Sequence, residues 1–437
     1  MARKMIALVV EATHQRRSVC SGRRLFAAAL SLSCLLAGQP AARAQPQVWT
    51  LQSSEQVAIE RSPKVRSAIA SRDTAYAYRT YGHMPRAGNP FVNLRAMIGR
   101  PDQSAATYSL GIGVPFDVAG KRRAWRNEAG YIIEEAEARL SIVRNEVRAE
   151  ARSAYVQVAL AHAARNVVGQ SADTARELLA KVQARLDANA TTALDVALTE
   201  SQYAEALANL AHADRSLVEA LNTFRQTLDL PHHTPIEVSA LPGLKLPDGL
   251  TLEAAIARSR LRRQETVAWA SATKRWHAAD GRLRTEAWAP ATAALEGEAQ
   301  ANRNTQTSIG AAVGFELPLI ARNQGARAVA SGEAAAADVE RELAARSIER
   351  EASSSFQALE AALAELAALE ERALPAAERT LSMVHTMLDA GVVDYFRVLT
   401  ARSSAFELRS RRVEALRQAW LCRIALERAM GGWEDAP

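Results

Sequence analysis

The 437-residue sequence contains few of the residues that would cross-link a chain or build a catalytic site. It has three cysteines, and only Cys422 lies beyond the first 44 residues, so an intramolecular disulfide in the remainder is excluded. Beyond the leader there is no run of about 18 uncharged apolar residues, which excludes a transmembrane helix. The eight histidines are scattered, without the paired spacing of a zinc site. The fold must therefore be stabilised by packing or by assembly.

The first 44 residues are typical of a secretory signal peptide. Arg23 and Arg24 precede an apolar stretch over residues 25–38, and the site Ala42-Arg43-Ala44 predicts cleavage after Ala44. We expect the general secretory route, with the twin-arginine route as the alternative. Cys34 lacks the flanking residues of a lipid-attachment site, so we expect an unlipidated chain.

Removal of this leader changes the charge of the protein. The whole chain carries a formal net charge of +6, and the leader alone has seven basic residues and one acidic residue, Glu11. The mature protein is therefore neutral and has no general attraction for polyanions. We expect no nucleic acid among its partners.

The sequence contains a duplication in which two segments, offset by about 200 residues, repeat the order helix, two short strands, long helical hairpin. Thr50-Leu51 recurs as Thr251-Leu252, and residues 58–62 resemble residues 255–259. This period is too long for a solenoid, so it predicts a duplicated module in a symmetric assembly. The predicted segments are repeat 1 (45–230), a proline-rich extended linker (231–249), repeat 2 (250–432) and a tail (433–437).

Helix-forming residues dominate both repeats. Residues 120–188 contain no proline and predict a helix about 100 Å long. Asn189 and Gly391 suit the ends of the two long helices, and further helices are predicted near 193–229 and 394–430. Pro375 predicts a kink or a restart in the second long helix.

Four short segments alternate with the period of a β-strand between an apolar face and a small or polar face. Strands of about 8 to 10 residues with such alternation suit a tilted, membrane-spanning barrel with a water-filled lumen. The residues expected to face the lumen include Asn93, Arg95, Glu296 and Glu298. The alternative is two hairpins packed on a soluble core. Four strands cannot close a barrel, and open edges are not tolerated in lipid, so several copies must combine their strands.

The sequence shows no catalytic constellation. It has no glycine-rich phosphate loop, nucleophile elbow or close carboxylate pair, so we expect neither an enzyme nor a bound cofactor or metal. A soluble helical enzyme would need a cluster of titratable residues. A periplasmic adapter would have one helical hairpin flanked by β-rich segments, whereas this chain has two hairpins.

Two strand-to-helix junctions carry a family resemblance. Residues 115–122, Pro-Phe-Asp-Val-Ala-Gly-Lys-Arg, resemble this junction in the TolC family of outer-membrane efflux proteins. Residues 318–325, Pro-Leu-Ile-Ala-Arg-Asn-Gln-Gly, are similar to the second junction of the CzcC-like branch, the outer-membrane components of heavy-metal resistance-nodulation-division pumps. Residues 390–401 and 429–432 also fit the second hairpin of the family.

The resemblance implies a mainly α fold with short membrane β-strands. Three protomers would form a 12-stranded barrel in the outer membrane of a Gram-negative bacterium, continued by a 12-helix periplasmic tunnel. The channel would be passive, and its partners would be outer-membrane lipid, a periplasmic adapter (membrane fusion protein) and an inner-membrane resistance-nodulation-division transporter. Heavy-metal cations are the expected substrates. Multidrug efflux or type I secretion are the alternatives, followed by a role as a coiled-coil adapter.

The tips of the two hairpins carry opposite charges at equivalent positions. An offset of 202 residues pairs Asp195 with Arg397 and Glu200 with Arg402, and Asp394 and Tyr395 lie in the same tip. These residues are candidates for a latch that closes the periplasmic end of the tunnel. The alternative is that they are solvated helix faces, with each ion pair contributing only about 0.2 to 1 kcal/mol.

Overall fold

The computed structural model describes residues 48–83, 88–98, 106–246, 249–301, 306–389 and 395–432. The predicted leader with its cleavage site at Ala44, the tail 433–437, Gly391 and Asp394 lie outside these residues. In chain order the elements are β1 (Val48–Trp49), α1 (Leu51–Arg61), α2 (Pro63–His83), β2 (Phe91–Ile98), β3 (Ala106–Phe116), α3 (Lys121–Asp187), α4 (Ala193–Thr227), β4 (Glu237–Val238), α5 (Leu252–Arg262), α6 (Glu265–Glu286), β5 (Ala291–Ala301), β6 (Gln306–Gly314), α7 (Gln324–Ala368), a π-helical turn (Leu369–Ala373), α8 (Leu374–Asp389) and α9 (Tyr395–Ala429).

The predicted duplication is present, and each repeat begins with the same capped helix. The Thr50 hydroxyl accepts a hydrogen bond from the Ser53 backbone amide at 3.1 Å, and Thr251 accepts one from Ala254 at 3.2 Å. Both helices that follow, α1 and α5, are 11 residues long. The two threonines are therefore equivalent positions.

One detail of the predicted repeat alignment is wrong. It placed Ala58 opposite Ala255, but the buried positions of the two capped helices show that Ala58 corresponds to Ser259 and Ser54 to Ala255. The error is four residues, about one helical turn. A shift of one turn keeps the buried stripe on the same face, so small-residue spacing alone could not exclude it.

The long helices of repeat 1 agree with the prediction. α3 contains 67 residues, which corresponds to about 100 Å. It ends just before Asn189, whose φ of 53° is the left-handed conformation expected at a helix end. α4, 35 residues long, returns along α3 and completes the first hairpin.

In repeat 2 the long helix is divided. α7 ends at Ala368, a π-helical turn follows, and α8 begins at Leu374, one residue before Pro375. Proline has no amide hydrogen to donate within a helix, so the ladder is interrupted at this point. The predicted restart is confirmed, and α9 forms the second arm of the hairpin.

The four predicted strands form one antiparallel sheet in the order β2-β3-β5-β6. The hairpin of repeat 1 therefore pairs directly with the hairpin of repeat 2 through β3 and β5. The sequence predicted the two hairpins but not this pairing. The order of the strands depends on contacts between residues far apart in the chain, for example Val114 and Ala293, which are 179 positions apart.

The region between the repeats contributes to the core. Within it, β4 pairs in parallel with β1, and the Ser239 amide donates to the Trp49 carbonyl at 2.9 Å. The Tyr155 hydroxyl of α3 lies 2.8 Å from the Ser239 carbonyl, and the rings of Trp49 and Phe224 meet edge to face at 5.7 Å. These contacts join the start of the described chain, α3, α4 and the inter-repeat region. None of the described helices is apolar enough over sufficient length to cross a membrane.

Candidate channel face and hairpin tip

The sheet has two chemically distinct faces because the strands are in register. Arg95, Ser109, Glu298 and Ser308 form one cross-strand row, and Asn93, Gly111, Glu296 and Gly310 form the next. The structure thus brings all four predicted lumen residues, Asn93, Arg95, Glu296 and Glu298, to one face. We call it the polar face.

The opposite face is apolar and uncovered. Its rows place Leu94 beside Leu110, and Ile112 beside Leu295. Relative exposure is 80% for Leu94, 50% for Leu110 and 66% for Leu295. A soluble core would cover such side chains, so the alternative of two hairpins packed on a core is not what the described residues form.

Glycines on the polar face make room for larger neighbours. A Cβ atom at Gly113 would lie 2.3 Å from the Phe91 ring, and one at Gly111 would lie 3.2 Å from Cγ of Glu296. Gly113 is therefore required by the ring of the facing strand, and Gly111 by the carboxylate side chain. The alternation of small and charged residues in the sequence has this steric cause.

Both outer strands of the sheet have an unpaired edge. Among the described residues, β2 pairs only with β3 and β6 only with β5. A sheet with two open edges and an exposed apolar face needs further strands if it is to lie in a membrane.

Below the sheet, buried ion pairs join α3 of repeat 1 to α6 of repeat 2. Arg282 Nε lies 2.5 Å from Glu128, and an Arg275 Nη lies 3.3 Å from Glu135. Burial raises the pKa of Glu128, and the attraction of Arg282 offsets only part of this effect. Sequence reasoning did not identify these pairs, because opposite charges about 150 residues apart have no local pattern.

The tip residue Asp195 has a local structural role. Its carboxylate accepts hydrogen bonds from the Thr192 hydroxyl at 2.6 Å, the Thr192 amide at 3.0 Å and the Thr191 hydroxyl at 2.8 Å. Thr192 in turn caps α4, so the two residues form a capping box. The hydrogen bonds from Thr192 hold the pKa of Asp195 below its usual value. The sequence itself indicates this capping box, because Asp195 lies three positions after Thr192.

The other tip residues occupy three kinds of position. Glu200 and Arg397 are exposed, and α9 begins at Tyr395. Arg402 lines a cavity of about 210 Å³ between the two hairpins, together with Glu205, Phe406 and Arg409. Its walls come from α3, α4, α8 and α9, so Arg402 lies where the hairpins of one chain meet. No cluster of metal-binding side chains occurs within the described ranges.

Comparisons with known proteins agree with this architecture. The sequence family described as outer membrane efflux protein matches residues 55–229. The cobalt-zinc-cadmium resistance protein CzcC of Cupriavidus metallidurans is 26% identical over 358 residues, which cover 78% of this chain and 81% of that protein.

Solved structures show the same fold at low sequence identity. The structure of CusC, a protein that forms a transmembrane channel, superposes with a TM-score of 0.70 at 16% sequence identity. The superposition covers 91% of this chain and 96% of the CusC chain. The outer membrane protein VceC of Vibrio cholerae gives a TM-score of 0.70 at 18% identity, covering 87% and 96% respectively.

Residues 55–229 thus match the outer membrane efflux protein family, and the described chain has the fold of the CusC and VceC structures. Over most of its length the chain is also similar to CzcC.

Proposed function

We propose that three copies of this chain form a passive outer-membrane channel that exports heavy-metal cations from the periplasm. The observation that carries this proposal is the four-stranded sheet with two unpaired edges, one exposed apolar face and one polar face. Twelve strands from three copies would close the barrel, and the helical hairpins would continue it as a 12-helix tunnel.

The polar face supports conduction of hydrated ions. Glu296 and Glu298 lie in neighbouring cross-strand rows, and the residues beside them on β3 and β6 are glycine or serine. The side chains of the polar face are therefore small or hydrophilic. Threefold repetition would place six carboxylates and three arginines, from Arg95, in the lumen. Such a lining favours water and charge but is not a stereospecific pocket.

The proposed substrate class rests on the relative. CzcC is a cobalt-zinc-cadmium resistance protein, and the resemblance to it extends over most of this chain. The described residues contain no cluster that would retain a metal ion, which suits passage of the ion rather than storage.

The channel would receive its substrate from a periplasmic adapter and an inner-membrane transporter. Passive conduction needs an external energy source, and the sequence has no nucleotide-binding loop to provide one. We assign the contact with these partners to the hairpin tips, where Asp195, Glu200, Asp394, Tyr395, Arg397 and Arg402 would form the closing latch of the resting tunnel.

A transport assay tests substrate and function together. A strain lacking its own metal-efflux channel is complemented with this gene beside a cognate adapter and pump. We expect restored growth in zinc, cobalt or cadmium and lower cellular metal. Restored resistance to organic drugs with unchanged metal sensitivity would contradict the metal proposal, and restoration of neither would contradict the efflux function.

A further inference from the structure

The internal duplication predicts how a second copy of this chain would contact the first. Within one chain, α6 of repeat 2 packs against α3 of repeat 1. In the other repeat, α2 corresponds to α6 and α7 corresponds to α3. Within the described part of one chain, α2 and α7 do not pack against each other. In a ring of alternating repeats, α7 would contact α2 of the neighbouring copy in the way that α3 contacts α6.

The correspondence between the repeats is fixed by backbone landmarks. Gly120 and Asn323, both in the left-handed conformation, cap α3 and α7 and lie 203 positions apart. α2 ends at His83 and α6 at Glu286, again 203 positions apart. The buried residues Val65 and Ala268 keep the same offset. One offset therefore serves both helix pairs.

The positions equivalent to Arg275 and Glu135 in the other repeat also carry opposite charges. At the offset of 203, Arg275 corresponds to Arg72, and Glu135 corresponds to Asp338. The Glu135 side chain is only 7% exposed, whereas the Asp338 side chain is 47% exposed. Among the described residues, Asp338 pairs with Arg341, one turn along its own helix at 3.4 Å, and accepts a long hydrogen bond from Thr273 of α6. Arg72 pairs within its own chain with the adjacent Asp73 at 2.8 Å. The exposure of Asp338 shows that α7 lacks the cover that α3 receives.

The positions equivalent to a second contact between α3 and α6 also carry opposite charges. Arg139 lies over the Trp269 ring at 5.9 Å, and the corresponding positions are Glu342 and Arg66. A cation–π contact within the chain thus becomes an opposite-charge pair between copies. In the single chain these side chains are 67% and 63% exposed and make only long contacts, to Arg346 at 3.7 Å and Asp229 at 3.5 Å.

We propose that the α7 surface around Asp338 and Glu342 binds α2 of a second copy, with Asp338 pairing to Arg72 and Glu342 to Arg66 of that copy. The inference rests on the trimer of the proposed function and specifies its interface. The remaining buried pair does not convert, because Glu128 corresponds to Ser331 and Arg282 to Arg79. Charge complementarity therefore lies on the half of the interface further from the sheet.

Chemical cross-linking of full-length protein in isolated outer membranes tests the register. With Cys422 replaced by Ser, the double variant Arg72→Cys/Asp338→Cys is treated with a short bismaleimide. We expect covalent dimers and trimers. The mismatched control Arg79→Cys/Glu342→Cys separates the two cysteines by about 16 Å along the helices, at 1.5 Å per residue, and should give at least tenfold less product.

Charge reversal tests the energetics. Arg72→Glu places two carboxylates together at each interface and should lower the fraction of trimer in mild detergent on the order of tenfold, since like charges at an interface are strongly unfavourable. Arg72→Glu/Asp338→Arg should restore it, and Arg79→Glu, which faces no acid, should change it less than twofold. Trimers that show no cross-link preference and no rescue would overturn this interface but leave the trimer intact. A monomeric wild type would overturn both proposals.

Discussion

Arg152 of α3 forms a buried ion pair with Glu427 of α9, so a single guanidinium joins the first repeat to the second. Arg152 also pairs with Glu55 of α1, and all three side chains are at most 10% exposed. Burial lowers the pKa of Arg152, but the attraction of Glu427 and Glu55 outweighs it, and the net direction is upward. The charge of Arg152 is therefore fixed. Glu55 also pairs with Arg148, and Glu427 also pairs with Arg423.

Replacing Arg152 by Ala should strongly destabilise the helical region. The substitution removes one cation from each of two buried carboxylates and leaves Glu55 with Arg148 and Glu427 with Arg423. Breaking a buried ion pair typically costs about 3 to 5 kcal/mol. Arg148→Ala is the matched control, because Arg148 also pairs with Glu55 but is 41% exposed and should cost less than about 1 kcal/mol. Denaturant unfolding of the purified protein in detergent measures both. Equal effects would show that burial of the ion pair is not important.

The two faces of the sheet should respond differently to arginine. Leu110→Arg and Val313→Arg place a charge on the apolar face, which should cost about 2 to 4 kcal/mol if this face meets the middle of a bilayer. These variants should fail to assemble in outer membranes. Ser109→Arg and Ser308→Arg, on the polar face, should assemble normally and change conductance. Similar behaviour of the two classes would exclude a barrel.

The carboxylates of the polar face should set ion selectivity. Glu296→Gln/Glu298→Gln would remove negative charge from the proposed lumen and should lower the preference for cations, measured as a shift of the reversal potential in a salt gradient. Glu360→Gln, at an exposed position of α7, is the control for loss of a carboxylate outside the sheet. A reversal potential that stays constant in the double variant would place these residues outside the conduction path.

Charge reversal at the tip should open the resting tunnel. We expect Arg397→Glu to raise single-channel conductance in planar bilayers, and Arg397→Glu/Asp195→Arg to return it toward the wild-type value. Because Asp195 also belongs to the capping box, the second change also weakens the N-terminal cap of α4. Thr192→Ala removes the cap but keeps the charge, so it separates the two effects. A single variant with wild-type conductance would leave no role for the latch.

Stability at the junction of α3 and α6 should depend on pH through Glu128. Since the pKa of this residue is raised above its ordinary value of 4.5, its stabilising contribution is present below that value and is lost as pH rises through the folded-state pKa. The unfolding temperature should therefore fall between pH 4.5 and neutrality by more in the wild type than in Glu128→Gln. Glu134→Gln, at an exposed position of the same helix, should retain the wild-type dependence.

Sequence reasoning was most successful where the signal is local. Period-2 alternation predicted which side of each strand carries Leu110 or Glu296, and Asn189 marked the end of α3, because a side chain's face and a left-handed backbone depend on neighbouring residues. The order of strands, the parallel pairing of Trp49 with Val238 and the buried Arg152 network were not predicted. These features join residues about 100 to 280 positions apart, and only the folded chain brings them together.

At the tip, the sequence suggested charge complementarity between Asp195 and Arg397 but missed the cap in which Asp195 takes part. A carboxylate three residues after Thr192 satisfies both interpretations, since capping boxes and salt bridges use the same side chain. The hydrogen bonds within the single chain establish the capping box, and the pairing of Asp195 with Arg397 stays a prediction.

The most direct test of the account is native mass spectrometry of the protein extracted from outer membranes in mild detergent. We predict three identical copies, each beginning near Gln45 and carrying no acyl chain. Three copies supply the strands that the open edges of β2 and β6 require. A single copy with its four strands, or a chain acylated at Cys34, would contradict the account.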